Sequence, residues 1–231
     1  MPKSPPQYPL LILDTASAKI SVGLRLNQSD AGIWFNSDEK AGVSIFRGIQ
    51  FCLEKSPIQL ENILSIIYCE GPGSILGIRT ATMALRTWIH TAASPLSIYR
   101  YKSLSLAAAG LGFNNTETSP FSVILDARRG RWHTLTTTQQ DFLGEIKSID
   151  SNQASLIPHT IFYPKGFPLK TSLPFTYQEC DYTPSLLSNT ALLEKIVQQT
   201  ISPDVFITGE TTYQKWTPEL TTKPGSSIKH E

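Results

Sequence analysis

The sequence predicts an α/β protein of two lobes, in which mixed sheets are flanked by helices. Three strand-like segments open the chain in close succession, LLILD (10–14), KISVGLRL (19–26) and GIWF (32–35). Apolar segments bounded by glycine or proline then alternate with helix-like segments up to about residue 111, an order typical of helices packed on a sheet. Prolines interrupt the pattern beyond residue 141. We therefore expect a smaller, loop-rich second lobe.

The composition is that of an ordinary globular protein. Hydrophobic residues make up 40% and charged residues 17% of the 231 residues, and the formal net charge is +1. This balance gives no general attraction to nucleic acids or membranes. Cys52, Cys69 and Cys180 are odd in number and widely spaced, which argues against a disulfide framework and a zinc site. We expect a cytoplasmic protein that contains no transmembrane segment and binds no metal.

The first three strands read as an antiparallel meander. In KISVGLRL, Ile20, Val22, Leu24 and Leu26 alternate with other residues, which places them on one face of a strand. The turn between the first two strands carries the sequence Asp14-Thr15-Ala16-Ser17. A carboxylate and two hydroxyls are thus expected at the end of the first strand.

Two amphipathic helices are predicted next. Apolar residues recur at helical spacing over 41–55, and Pro57 follows. A buried strand over 63–69 leads to the glycine-rich segment, after which Ser74 is a good N-cap for a helix that reaches about residue 92.

The remaining elements complete two lobes. PLSIYRY predicts a strand, a short helix begins at Ser103, and FSVILDARRGRWHTLTT predicts two strands joined at Arg129-Gly130. In the second lobe only 186–199 has a helical pattern. We expect a disordered N-terminus over 1–9, the first lobe over 10–111, the second over 112–216 and a flexible tail over 217–231.

The segment GPGSILG (71–77) has the form of a phosphate-binding loop. It lacks the lysine of a Walker loop, and no acidic residue lies between Gly71 and Thr116 to hold the ribose of a dinucleotide. Either it is a tight strand-to-helix turn or it holds a phosphate together with the first hairpin, whose carboxylate and hydroxyls resemble the phosphate and metal motif of actin-like and sugar kinase ATPases. The candidate phosphate-loop residues are Asp14, Thr15, Ser17, Gly71, Gly73, Ser74, Gly77 and Arg79.

Four motifs together resemble the bacterial TsaB (YeaZ) family. LILDTASAKISVGL, GPGSILGIRTAT, SLSLAAAGL and LDARRGRWH follow the family's order and spacing, with patterns close to ILAIDTST, GPGSFTGLRIG, a Ser-Leu helix and DARMGEVY. The resemblance covers residues 10–133. It departs at Ile75-Leu76, where the family has Phe-Thr, and in the segment 211–216, where only Tyr213 is kept.

The resemblance implies an actin-like ATPase (ribonuclease H-like) fold and a non-catalytic scaffold, not an enzyme. Such a subunit activates a TsaD-like catalytic paralogue that makes N6-threonylcarbamoyladenosine at position 37 of tRNA, with a TsaE-like ATPase as a further partner. It would meet tRNA only through this complex and would pair with a second copy when alone. No cofactor is implied, and the four histidines form no H-x-x-x-H pair. The resemblance also implies that the motif residues Asp126, Arg128 and Gly130 maintain the fold and take no part in catalysis.

The two amphipathic helices are the expected partner interface, as half of a four-helix bundle. Both have more apolar perimeter than one core needs, and Gly48, Ala81 and Ala84 are small enough for close helix approach. The alternative is that the second lobe of the same chain covers the apolar sides of these two helices. The predicted interface residues are Ile45, Phe46, Ile49, Leu53, Ala81, Leu85 and Trp88.

Two other interpretations are weaker. The row Arg79, Met83, Arg86 and His90 is read as a solvated helix face in preference to a site for tRNA phosphates or a partner's carboxylates. A small ATP-dependent phosphotransferase of the actin-like fold would need a second glycine-rich loop, for which Gly209-Glu210 is the nearest candidate. No nucleophile has a base beside it in the sequence, so a hydrolase is not predicted.

Overall fold

The computed structural model describes residues 5–92, 94–113, 120–137, 142–169 and 175–207. Within these ranges the chain forms two sheets with helices on both faces of the first and between the two. The expected α/β architecture of two mixed sheets is confirmed. The tail over 217–231 and the segment around Tyr213 lie outside the described residues.

The first sheet has six strands in the order β11-β5-β4-β1-β2-β3. Strands β1, β4 and β5 are parallel, and the other three pair antiparallel at the two edges. Their bounds are β1 Leu10–Asp14, β2 Ile20–Arg25, β3 Ile33–Ser37, β4 Ser65–Gly71, β5 Ser97–Lys102 and β11 Gln198–Thr200.

Two helices cover one face of this sheet, α1 (Ala41–Glu54) and α2 (Ile75–Thr91). Because side chains alternate along a strand, Leu11 and Leu13 of β1 face these helices, whereas Leu10 and Ile12 belong to the core on the opposite face. That second core also contains α3 (Ser103–Phe113), which touches β4 and β5 as well as the second sheet. Helix α3 therefore joins the two lobes.

The second sheet has five strands in the order β10-β9-β6-β7-β8. The hairpin of β6 and β7 turns at Arg129-Gly130 as predicted, with positive φ angles of 54° and 70° at the two turn residues. The remaining elements are β6 Phe121–Arg128, β7 Arg131–Thr137, β8 Lys147–Asp150, α4 Ser151–Ser155, β9 Ile161–Pro164, β10 Gln178–Cys180, a 3-10 turn at Pro184–Ser188 and α5 Thr190–Ile196.

The structure amends the expected boundaries in three places. Residues 5–9 are ordered rather than disordered, because the Gln7 amide donates to Ser65 Oγ and the Leu64 amide donates to the Pro9 carbonyl. The helix expected over 186–199 ends at Ile196, and β11 then crosses back to pair with β5. The chain is thus not divided cleanly at residue 111, since part of the predicted second lobe completes the first sheet.

None of the described helices combines the length and the apolar character needed to cross a bilayer.

Candidate functional site

The predicted phosphate loop lies directly against the first hairpin. The Ser74 amide donates a 2.7 Å hydrogen bond to the Ala16 carbonyl. A Cβ atom added to Gly73 would collide with that same carbonyl oxygen, and one added to Gly77 would collide with the carbonyl oxygen of Thr15. The two segments therefore meet at one edge of the sheet, as expected, and glycine is required because two backbones touch there.

Asp14 is completely buried, and described neighbours occupy both of its carboxylate oxygens. Oδ1 accepts from the Ala16 amide at 2.9 Å. Oδ2 accepts from the Tyr182 hydroxyl at 2.5 Å and from the Tyr101 hydroxyl. Sequence reasoning missed both tyrosines, because neither lies in a motif and Tyr182 is 168 residues away. Asp14 is thus a hydrogen-bond acceptor for the protein itself.

Burial has the largest effect on the pKa values of Asp14, Tyr101, Tyr182 and the neighbouring Cys69. It raises the pKa of Asp14, although the bonds from Tyr101, Tyr182 and Ala16 oppose the shift. Burial and the nearby Asp14 carboxylate also raise the pKa of Cys69 and of both tyrosine hydroxyls. Desolvation disfavours the charged form of each group. The cluster consequently offers neither a thiolate nor a phenolate for nucleophilic chemistry near neutral pH.

The residues at this edge do not fit the phosphate of a nucleotide. The Ser74 hydroxyl caps α2 by accepting from the Gly77 amide at 3.3 Å, and its own amide is used by Ala16. Ser17 is bonded to Lys19, and the buried Thr15 hydroxyl has no described partner. Arg79 is exposed on α2. The Ser74 amide, the Ser74 hydroxyl and the Ser17 hydroxyl are thus already hydrogen-bonded within the protein.

The structure corrects the predicted partner interface. Ile45, Ile49, Ala81 and Leu85 are 0 to 5% exposed and form the core between the two helices and the sheet. They cannot touch a partner in this fold. Leu53 and Trp88 are half-buried, and only Phe46 of the predicted set is well exposed, at 54%.

A different set of apolar side chains is exposed on the same two helices. We call it the α1–α2 surface, and its members are 48 to 78% exposed. Phe46 packs edge-on against the half-buried Trp88, with ring centroids 6.4 Å apart. A groove of about 760 Å³ runs between the starts of both helices and the loop 166–168. The α1–α2 surface comprises Val43, Phe46, Leu76 and Met83.

The DARRG hairpin (126–130) has a backbone role. The Asp126 carboxylate accepts from the Arg128 amide at 2.6 Å, and Arg128, Arg129 and Gly130 all have positive φ. Three consecutive left-handed residues make the tight turn that glycine alone adopts freely. The side chains of Arg128 and Arg129 are exposed at its tip.

The predicted basic row on α2 does not act as a unit. Arg86 donates to the Pro203 carbonyl at 3.0 Å and lies 3.5 Å from the Asp204 carboxylate. It therefore fixes the segment after β11, whereas Arg79, Met83 and His90 are exposed.

One serine-histidine contact was not predicted from the sequence. Ser122 Oγ lies 2.8 Å from His159 Nε2 and 2.7 Å from Thr136 Oγ1. Ser122 is fully buried on β6, so its hydroxyl cannot reach the carbonyl of a substrate. This contact resembles a nucleophile-base pair in geometry alone and does not support a hydrolase.

Gly209 and Glu210, the second-loop candidate of the phosphotransferase interpretation, lie outside the described residues. Within the described ranges, no three His, Cys, Asp or Glu side chains are grouped so that they could hold a metal ion.

Comparisons with known proteins show a family through one family model and a fold through solved structures. The family model for TsaD, tRNA N6-adenosine threonylcarbamoyltransferase, matches residues 40–218. Among solved structures, an uncharacterised protein from Pseudomonas aeruginosa with similarity to the peptidase YEAZ superposes with a TM-score of 0.64 and 14% identity, covering 85% of this chain and 98% of that one. YeaZ from Pseudomonas aeruginosa superposes with a TM-score of 0.59 and 16% identity, covering 80% and 91%. Among curated protein sequences, none matches significantly.

Proposed function

We propose, from the premise that this chain belongs to the TsaD family as a divergent TsaB (YeaZ)-like member, that it is a non-catalytic subunit in the synthesis of N6-threonylcarbamoyladenosine at position 37 of tRNA. It acts by pairing with a TsaD-like catalytic paralogue in the cytoplasm. A TsaE-like ATPase completes the assembly, and tRNA is bound by the complex rather than by this chain alone.

The observation that carries the proposal is the α1–α2 surface. Val43, Phe46, Leu76 and Met83 are between 48 and 78% exposed on two adjacent helices, although ordinary surface helices present polar residues to solvent. Clustered apolar side chains that remain exposed are typical of a surface that binds another protein. An aromatic residue such as Phe46, partly supported by Trp88, is a typical anchor of such an interface.

The buried carboxylate of the first hairpin supports a non-catalytic role. An actin-like phosphotransferase needs a carboxylate free to face a metal or phosphate. Here Asp14 is buried and accepts three hydrogen bonds from Ala16, Tyr101 and Tyr182. The phosphotransferase alternative therefore has no support at this edge of the sheet, and we propose that the chain contributes binding rather than chemistry.

The test is Phe46→Glu. A charge placed at the centre of an apolar interface is buried without a partner, which costs on the order of several kcal/mol of association. We expect the variant to lose co-purification with a TsaD-like paralogue and threonylcarbamoylation in a reconstituted system. Its melting temperature should stay close to that of the wild type, because position 46 is solvent-facing in the free protein.

Leu156→Glu is the matched control. Leu156 is 81% exposed at the end of α4 in the second lobe, so this change introduces the same charge at an exposed apolar side chain away from α1 and α2 and should leave association intact. Wild-type affinity in Phe46→Glu would show that the interface lies elsewhere. ATP turnover by the isolated wild-type chain that disappears in Asp14→Ala would instead favour the phosphotransferase.

A further inference from the structure

Asp14 connects parts of the chain that belong to different sheets. It ends β1, and Tyr101 lies in β5 of the same sheet. Tyr182 follows β10 of the second sheet. The bond from Tyr182 therefore crosses between the lobes, whereas the bond from Tyr101 stays within the first.

A second contact crosses at the same place. The Ala18 amide in the first hairpin donates a 2.8 Å hydrogen bond to the Gly166 carbonyl, in the loop after β9. Phe167 of that loop packs edge-on against the Tyr182 ring, with centroids 4.8 Å apart. The Lys165 amide donates to the Cys180 carbonyl, so the loop is also hydrogen-bonded to the strand that precedes Tyr182.

We propose that the hydrogen bond from Tyr182 to Asp14 is a clasp that anchors residues 165–169 and 175–182 of the second lobe on the first hairpin. The inference concerns conformation and does not depend on the proposed function. In this arrangement one of the three hydrogen bonds to the carboxylate at the end of β1 comes from the opposite lobe.

The clasp also covers a thiol. Cys69 of β4 is 1% exposed, and its sulfur lies 3.8 Å from the Tyr182 hydroxyl. Local opening of the clasp would give solvent access to this sulfur. Cys52 is equally buried but lies between α1 and the opposite face of the sheet, so it reports on unfolding of the first lobe and not on the clasp.

Tyr182→Phe and Tyr101→Phe form a matched pair for the test. Each removes one hydroxyl bonded to the same carboxylate oxygen, but only the first breaks a bond between lobes. Hydrogen exchange of the Ala18 amide and of segment 165–169 should become about ten-fold faster in Tyr182→Phe, since a hydrogen bond to the buried Asp14 side chain is lost at the point of attachment. In Tyr101→Phe these amides should exchange no faster than those of the remainder of the protein.

Thiol labelling resolved by peptide mass spectrometry is the second measurement. In Tyr182→Phe we expect Cys69 to react faster while the rate at Cys52 is unchanged. Equal exchange and labelling rates in both variants would overturn the clasp. So would a Tyr182→Phe protein that does not fold while Tyr101→Phe does, because the bond would then sustain the whole fold and not one segment.

Discussion

At the scale of single residues, the environment decides which polar groups remain available for chemistry. Asp14 has the residue type and position of a catalytic carboxylate, yet its two oxygens are bonded to three groups of the protein. His133 shows the same effect for a base, since it is largely buried on β7 and its ring packs against Phe206 at 6.0 Å. Burial turns both from reactive groups into structural ones.

His133 should titrate far below an ordinary histidine. Burial, with a smaller contribution from the nearby Arg131 cation, lowers its pKa to about 4. The unfolded chain takes up this proton near its ordinary pKa of about 6.5, so the contribution of His133 to stability is complete above that pH and is lost as the pH falls toward 4. An NMR titration of the imidazole, with its signal assigned by comparison with His133→Asn, measures this pKa directly. A midpoint near 6.5 would show that the ring is solvated.

At the scale of elements, α1 combines a buried side with an exposed apolar side. Ser44, Ile45, Gly48, Ile49 and Cys52 are buried against the sheet. Gly48 was expected to let a partner helix approach, but it serves the chain's own packing, because an added Cβ would lie 2.6 Å from Val22 and 2.8 Å from Phe35. The small residue brings the helix close to β2 and β3.

Gly48→Ala should therefore destabilise the protein, although alanine is the better helix former. Overpacking at such a contact costs about 1 to 3 kcal/mol. Gly42→Ala in the same helix meets nothing within 4 Å and should stabilise by about 0.5 kcal/mol through its helix propensity. Urea unfolding of both variants measures the difference. Equal effects of the two substitutions would show that α1 does not lie directly on the sheet.

At the scale of the whole molecule, the C-terminal third of the described chain holds the first lobe together. Arg25 at the end of β2 is fully buried, and its guanidinium donates to the carbonyls of Gln28, Asp30 and Leu187. The same guanidinium also donates a hydrogen bond to the Thr190 hydroxyl. The Thr190 hydroxyl, at the start of α5, also donates to the Gln28 carbonyl in the β2–β3 turn, across 162 residues of sequence.

Arg25→Ala should cost about 3 kcal/mol of unfolding free energy, because it removes a fully buried side chain and leaves the buried Leu187 carbonyl oxygen without a donor. The control is Arg47→Ala. Arg47 is paired with Glu39, and the two side chains are 62% and 55% exposed, so its loss should cost under about 1 kcal/mol. Thermal or chemical denaturation distinguishes the two. A loss at Arg25 as small as at Arg47 would mean that water replaces its bonds.

The sequence by itself determined the local elements up to about residue 137 and the family. Apolar periodicity, Ser74 as N-cap and the Arg129-Gly130 turn are short-range signals, and each predicted the observed element within a few residues. The motifs from 10 to 133 likewise predicted the family that the comparisons support. Even the meeting of hairpin and glycine loop followed from sheet topology, because both lie at the same ends of neighbouring parallel strands.

Only the tertiary structure decided what those elements do to one another. Apolar spacing identifies an amphipathic helix but not which of its apolar residues the sheet will cover, so Ile45 and Phe46, adjacent in sequence, received the same prediction and have opposite environments. The partners of Asp14 come from positions 101 and 182, and no short-range pattern encodes a contact over such distances. The physical reason is that burial and long-range hydrogen bonds are properties of the packed chain, and these determine whether a carboxylate binds a ligand or the protein itself.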